Sequence, residues 1–154
     1  MRAVLLLLSV LPGVLFAQAE EVRAVELIKL TPNLMVENVN ETVDFYRDVL
    51  EFELAMSIPE EGELNWAMMS CGGVELMFQS RASVVEEFPP FAELEIGGSL
   101  GFYIEVAGID ELYSGLAGRA EIIVEPHTAF YGMREFTIRD CNGYVLTFAE
   151  QVEQ

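Results

Sequence analysis

Residues 70–78, "SCGGVELMF", and residues 140–148, "DCNGYVLTF", are two versions of one stretch. At an offset of 70 residues Cys71 falls on Cys141, Gly73 on Gly143, Leu76 on Leu146 and Phe78 on Phe148. Gly72-Gly73 and Asn142-Gly143 are turn signals. Each leads into an apolar run with strand character, so each stretch reads as the closing hairpin of a sheet. The same offset carries outward, setting Val36 on Val106 and Val39 on Ile109. Self-similarity at a fixed offset marks two copies of one supersecondary unit.

Each copy shows the same order of signals. In the first, "LTPNLMVE" (30–37) is extended and "NETVDFYRDVLEF" (40–52) is helical. Asn40 is the predicted N-cap, and Val43, Tyr46, Val49 and Leu50 fall on one helical face. Strands follow over 53–59, 64–70 and 74–80. In the second copy, a strand over 100–106 precedes a short helix over 109–118, stopped by Gly118. Strands then cover 120–126, 133–139 and 144–150. Pro89-Pro90 and Gly97-Gly98 mark residues 82–99 as a linker. The fold class is therefore α+β, with paired βαβββ modules at 29–81 and 100–150 inside one domain of residues 29–152.

A chain of 154 residues is long enough for one domain with a real core. Its 52% apolar and 22% charged composition excludes a disordered tail. The net charge is −18, from 26 acidic and 8 basic side chains, and Lys29 is the single lysine. Nothing in that balance supplies a basic footprint for phosphates, so nucleic acid is excluded as a partner. An acidic field favours cationic ligands and solubility. A solvated acidic surface without ligand preference, and adaptation to high salt, are the other readings of the same charge.

The first 19 residues, "MRAVLLLLSVLPGVLFAQA", have the plan of a secretory signal peptide. Arg2 supplies the basic start, Ala3 to Phe16 the apolar stretch, and Ala17-Gln18-Ala19 the small-x-small cleavage site. The apolar run is short for a bilayer span. Cleavage near Ala19, followed by a linker over 20–28, predicts an exported protein with no membrane contact afterwards. An uncleaved anchor or a misassigned start is the alternative.

A paired βαβββ unit with "TVDFYRDVLEFE" (42–53) early and "REFTIRDCNGYVLTF" (134–148) late resembles the vicinal oxygen chelate superfamily. That superfamily holds glyoxalase I, extradiol dioxygenases, and fosfomycin- and bleomycin-resistance proteins. The bleomycin-resistance-like members are the most similar, although Cys141 stands where the family commonly has proline. The resemblance implies cupped mixed sheets and a homodimer that completes the cups. In the family's enzymes, side chains on the first and last strands of the modules hold a divalent metal. Those positions fall here on Thr31, Gly101, Thr147 and either Met77 or Glu75. Such a site needs several His, Glu or Gln donors, and this set has at most one good ligand. His127, the single histidine, is expected in a loop before the penultimate strand, where it cannot make a metal site alone.

Strand alternation gives the cup its lining. Thr31, Asn33 and Met35 share one face of the first strand, and Glu75, Met77 and Gln79 one face of the fourth. Gly101, Tyr103 and Glu105 share a face of the fifth, and Val145, Thr147 and Ala149 a face of the last. Trp66, Met68, Tyr131, Arg134 and Phe136 are further candidates from the middle strands. The candidate ligand-binding set is Asn33, Trp66, Met68, Glu75, Met77, Tyr103, Glu105, Tyr131, Arg134 and Thr147. It is mostly apolar and aromatic with a few polar groups, the make-up of a small-molecule pocket. Glu75 and Glu105 each need a partner, a proton or water. Arg134 is a candidate internal partner, and a cationic ligand beside aromatic rings is the other.

The resemblance, with this tally, implies a metal-independent small-molecule binding protein without a cofactor, and not an enzyme. The alternatives are a metal-dependent lyase, isomerase or dioxygenase with a degenerate ligand set using Glu75 and His127, and an interaction module whose cup is filled by its own side chains. Cys71 and Cys141 lie at equivalent turns of pseudo-symmetric hairpins. Such turns usually stand too far apart to be bridged, which predicts two free thiols, with a disulfide across a dimer interface as the alternative.

Overall fold

The computed structural model describes residues 25–152. The expected signal segment lies outside the described residues up to residue 24. Among those described, no helix is long and apolar enough to cross a membrane.

The two modules have one topology. In the first, strand β1 (Asn33–Val36) leads to helix α1 (Val39–Asp48), then β2 (Glu53–Ile58), β3 (Trp66–Cys71) and β4 (Val74–Ser80). In the second, β5 (Gly101–Glu105) leads to helix α3 (Ile109–Leu116), then β6 (Glu121–Thr128), β7 (Met133–Arg139) and β8 (Val145–Gln151). Each module is a four-stranded sheet, ordered β1-β4-β3-β2 and β5-β8-β7-β6. The first and last strands of each module pair in parallel and the other neighbours are antiparallel.

The segment between modules is not an unstructured linker. It contains helix α2 (Arg81–Glu87) and a 3-10 helix over Pro89–Glu93. Gln79 of β4 donates to Ser83 Oγ at 3.0 Å and to Glu87 Oε2 at 3.2 Å, and it accepts from Asn33 Nδ2 at 2.6 Å. These bonds fold α2 back onto the sheet that it leaves. Gly97, at φ +79, lies so close to the next module that a Cβ would stand 2.9 Å from Asn142 O and Gly143 O.

Helix α1 starts one turn signal earlier than the sequence suggests. Its N-cap is Asn38, whose side chain accepts from Glu41 N at 3.2 Å. Asn40 lies inside the helix. Its Nδ2 donates to Gly62 O at 2.9 Å and its Oδ1 accepts from Leu64 N at 2.8 Å, so it ties the β2–β3 loop to the helix. Helix α3 has no side-chain cap of its own. Instead, Glu150 of β8 accepts from Gly108 N and Ile109 N at 2.8 and 2.9 Å, placing a carboxylate at the positive end of the helix.

Both sheets turn one face to the helices, and these faces form a single core. Leu34, Val36, Leu76, Phe78 and Met69 contribute from the first sheet, and Phe136, Ile138, Leu146 and Phe148 from the second. The pairs that align at the repeat offset, Leu76 with Leu146 and Phe78 with Phe148, are all buried. The modules are stitched by polar contacts: Tyr46 donates to Asp140 Oδ2 at 3.0 Å, and Tyr144 donates to Met35 O at 2.8 Å. The open faces point away from this core.

Candidate functional site

Cross-strand register organises each open face into rows. On the first sheet one row runs Met56, Met68, Met77, Asn33 and the next runs Ile58, Trp66, Gln79, Met35. On the second sheet the rows are Val124, Thr137, Thr147, Tyr103 and His127, Glu135, Ala149, Glu105. Of the expected set, Asn33, Trp66, Met68, Met77, Tyr103, Glu105 and Thr147 therefore share open faces. Four side chains in the first sheet's rows are methionines, and of these Met56, Met68 and Met77 remain at least partly exposed while Met35 is buried; their unbranched, polarisable thioethers adapt readily to a ligand's shape.

Two expectations about facing are corrected. Phe136 is fully buried and packs edge-on against Tyr113 of α3, with ring centroids 5.4 Å apart. Arg134, on the same side of β7, donates from Nε to Asp110 Oδ1 of α3 at 2.8 Å. It is therefore a helix-side residue and no partner for a carboxylate in the cup. His127 is in strand β6, opposite Glu135, and not in a loop. Glu75 forms an ion pair with Lys29, and Glu105 is exposed at the end of β5. A shallow concavity of about 460 Å³ nevertheless brings Glu75, Tyr103 and Glu105 to one place.

The central group of the second open face is Glu135, the neighbour of Arg134 in a charged pair and absent from the expected ligand-binding set. Its residue is only 7% exposed. Tyr103 of β5 and Tyr131 of the β6–β7 turn each donate a hydroxyl to the same oxygen, Oε1, at 2.7 Å. Both tyrosines remain about half exposed, at 51% and 52%. Phe130, fully exposed, meets the Tyr131 ring edge-on with centroids 5.0 Å apart. The phenol donors, Tyr131 foremost, hold the Glu135 carboxyl below its ordinary range, against the opposing effect of burial. The same bonds, helped by burial, push both tyrosine hydroxyls above theirs. At neutral pH the cluster is a fixed anion with two fixed neutral phenols. Groups shifted this way are poor proton donors and acceptors and good binding groups.

The residues at the family's ligand positions do not fit a divalent metal. Thr147 Oγ1 is hydrogen-bonded to Thr137 Oγ1 at 3.1 Å. Thr31 precedes β1, Gly101 offers no side chain, and Glu75 is held by Lys29. Among the described residues no three His, Cys, Asp or Glu side chains converge as a metal site would require. Cys71 and Cys141 stand as separate exposed thiols at the hairpin turns. Although the Cys141 residue is exposed overall, its sulfur is partly enclosed, and that burial, followed by the charge of Asp140, pushes the thiol up to about 12, which makes it a weak nucleophile.

The model of the Glyoxalase/Bleomycin resistance protein/Dioxygenase superfamily matches residues 28–148. No curated protein matches in sequence. Solved structures share the fold. A glyoxalase/bleomycin resistance protein/dioxygenase from Nocardioides superposes with TM-score 0.69 at 20% identity, over 85% of this chain and 88% of that one. TioX from Micromonospora sp. ML1 gives 0.63 at 21%, over 80% and 98%. The bleomycin-binding protein of Streptomyces verticillus, solved with copper(II)-bleomycin, gives 0.57 at 20%, over 84% and 100%. At these identities the likeness is one of fold.

Proposed function

Because the chain belongs to the glyoxalase/bleomycin resistance/dioxygenase superfamily, yet its described residues present no donor set for a catalytic metal, we propose that it binds a small molecule without metal and without turnover. The observation that carries this reading is the Thr147–Thr137 hydroxyl pair, which occupies the floor of the second open face where an enzyme of the fold would present a ligand. The ligand is cationic or aromatic. The ionised Glu135, the half-exposed tyrosines and the acidic surface favour such a compound over an anion. The relative that binds copper(II)-bleomycin supports the small-molecule class and says nothing of the compound. Export through the N-terminal leader, and pairing of two chains to close the open faces, complete the proposal.

The test is a native mass spectrum of the protein purified without chelator, followed by titration of cationic aromatic compounds against fluorescence. Trp66 is the single tryptophan and lies on the open face of the first sheet, so its emission reports a ligand that reaches that face. A mass equal to bare polypeptide and saturable quenching support the reading. One divalent ion retained per chain sinks its metal-independent part.

A further inference from the structure

Among the described residues two carboxylates are buried, Asp140 and Glu135, and neither has a basic partner within hydrogen-bond reach. Asp140 has both oxygens engaged. Oδ1 accepts from Asn142 N and Tyr144 N at 2.9 and 2.7 Å, and Oδ2 accepts from the Tyr46 hydroxyl. That is a finished structural site. Glu135 is half finished. Both of its hydrogen bonds end on Oε1, and no donor among the described residues reaches Oε2. Every solvent-inaccessible side-chain oxygen and nitrogen among these residues has a partner. Oε2 is therefore the atom through which Glu135 meets solvent, and the opening lies beside Tyr103 and Tyr131.

Counting lone pairs sets what fits there. A carboxylate oxygen accepts about two hydrogen bonds. Oε1 has its two from the phenols, so a guanidinium or amidinium fork, which needs both oxygens, finds one already filled. A protonated amine needs only one acceptor. Its remaining substituents would lie against the rings of Tyr103 and Tyr131, with Phe130 extending the aromatic wall. We propose that Glu135 Oε2 anchors an organic ammonium ion through a single N–H, and that Tyr103 and Tyr131 make the site selective for ammonium over amidinium. This rests on the reading of the open face as a ligand pocket and names the class of ligand.

The test compares three benzyl- or phenyl-bearing cations of similar size on the purified protein at neutral pH by calorimetry: N,N-dimethylbenzylamine, benzyltrimethylammonium and benzamidine. The first, protonated, carries one N–H; the second has the same charge and none; the third is a fork. The first is expected to bind about tenfold more tightly than the second, as a charge-assisted hydrogen bond implies. Benzamidine gains nothing over the first. Glu135→Gln removes the difference between the first two. Tyr103→Phe frees one acceptor site on Oε1 and is expected to raise benzamidine affinity selectively. Equal binding of the first two probes by the wild type overturns the anchor while leaving a cation pocket in place. Benzamidine binding tightest to the wild type overturns the selectivity. No binding of any probe, in a protein whose Trp66 emission also ignores larger cationic aromatics, removes the pocket reading together with this inference.

Discussion

The phenol of Tyr103 and the carboxylate of Glu135 are 32 residues apart in sequence and 2.7 Å apart in space. Their strands are not adjacent, since β8 runs between β5 and β7. The bond therefore reaches across a strand and locks the open face of the second sheet in one arrangement.

That arrangement has a pH signature. Glu135 is depressed below the ordinary carboxyl range, so its contribution to stability is present above that range and is lost as pH falls through the lower folded value. Tyr103 is raised above the ordinary phenol range, so its contribution is fully present below that range and is lost only as pH rises through the higher folded value. Tyr131 behaves as Tyr103 does. All five tyrosines are held above the ordinary phenol range, so the test is a difference: in a spectrophotometric titration Glu135→Gln should bring down Tyr103 and Tyr131 and leave Tyr46, Tyr113 and Tyr144 as they are. Unchanged curves in that variant would show that the carboxylate does not control them.

Facing on β7 supplies a paired prediction. Phe136 is fully buried in the core, whereas Thr137 faces the open side and binds Thr147. Phe136→Ala should cost on the order of 3–5 kcal/mol of stability in urea unfolding, through lost burial and a cavity. Thr137→Val should cost about 1 kcal/mol, because the partly exposed Thr147 hydroxyl can turn to water. Thr137→Val should instead change the Trp66-independent affinity for the cationic probes. Equal losses of stability in the two variants would place Phe136 outside the core.

The same pair of residues shows how far the sequence could be read. The repeat offset locates every strand, because apolar alternation and glycine turns are local signals. It fails for the facing of β7. Ser70 pairs with Glu75 in the first closing hairpin, while Arg139 pairs with Val145 in the second, whose connection is one residue longer. A single offset carried across that extra residue sets Trp66 against Phe136. The register instead makes Trp66, opposite Gln79, the equivalent of Glu135, opposite Ala149. A slip of one residue exchanges the faces of a strand, so Arg134 and Phe136 are drawn into the cup and Glu135 is left out. The Asp110–Arg134 pair and the return of α2 to Gln79 depend on tertiary contacts that no local pattern encodes.

Gly97 offers a test of how the modules are joined. An alanine there meets both a left-handed backbone, φ +79, and the backbone of Asn142 and Gly143 at 2.9 Å. Gly62, at φ +90, has nothing within 4 Å of an added Cβ. Backbone strain alone costs about 1–3 kcal/mol, and both variants incur it. Gly97→Ala should therefore lower the melting temperature clearly more than Gly62→Ala. Equal shifts would mean that the connection yields without disturbing the second module.

Asp140 ties the last hairpin to the first module, and its substitutions separate hydrogen bonding from charge. Asp140→Ala removes acceptors from two backbone N–H groups and from the buried Tyr46 hydroxyl. A loss on the order of 3 kcal/mol follows from leaving such donors unpaired. Asp140→Asn keeps the oxygen that serves the two backbone donors, and should lose less. Burial raises the Asp140 carboxyl above its ordinary range, with the hydrogen bonds opposing it only in part. A group raised in the folded state contributes stability that is complete below its unfolded value and declines as pH rises through the folded one. The advantage of wild type over Asp140→Asn should thus be largest under acidic conditions and shrink toward neutrality, opposite in sign to the Glu135 effect. Urea unfolding of both proteins across the acid range measures it directly. A gap that widens toward neutrality would show that the ionised carboxylate is well compensated by its three donors, and that charge as well as geometry holds the two modules together.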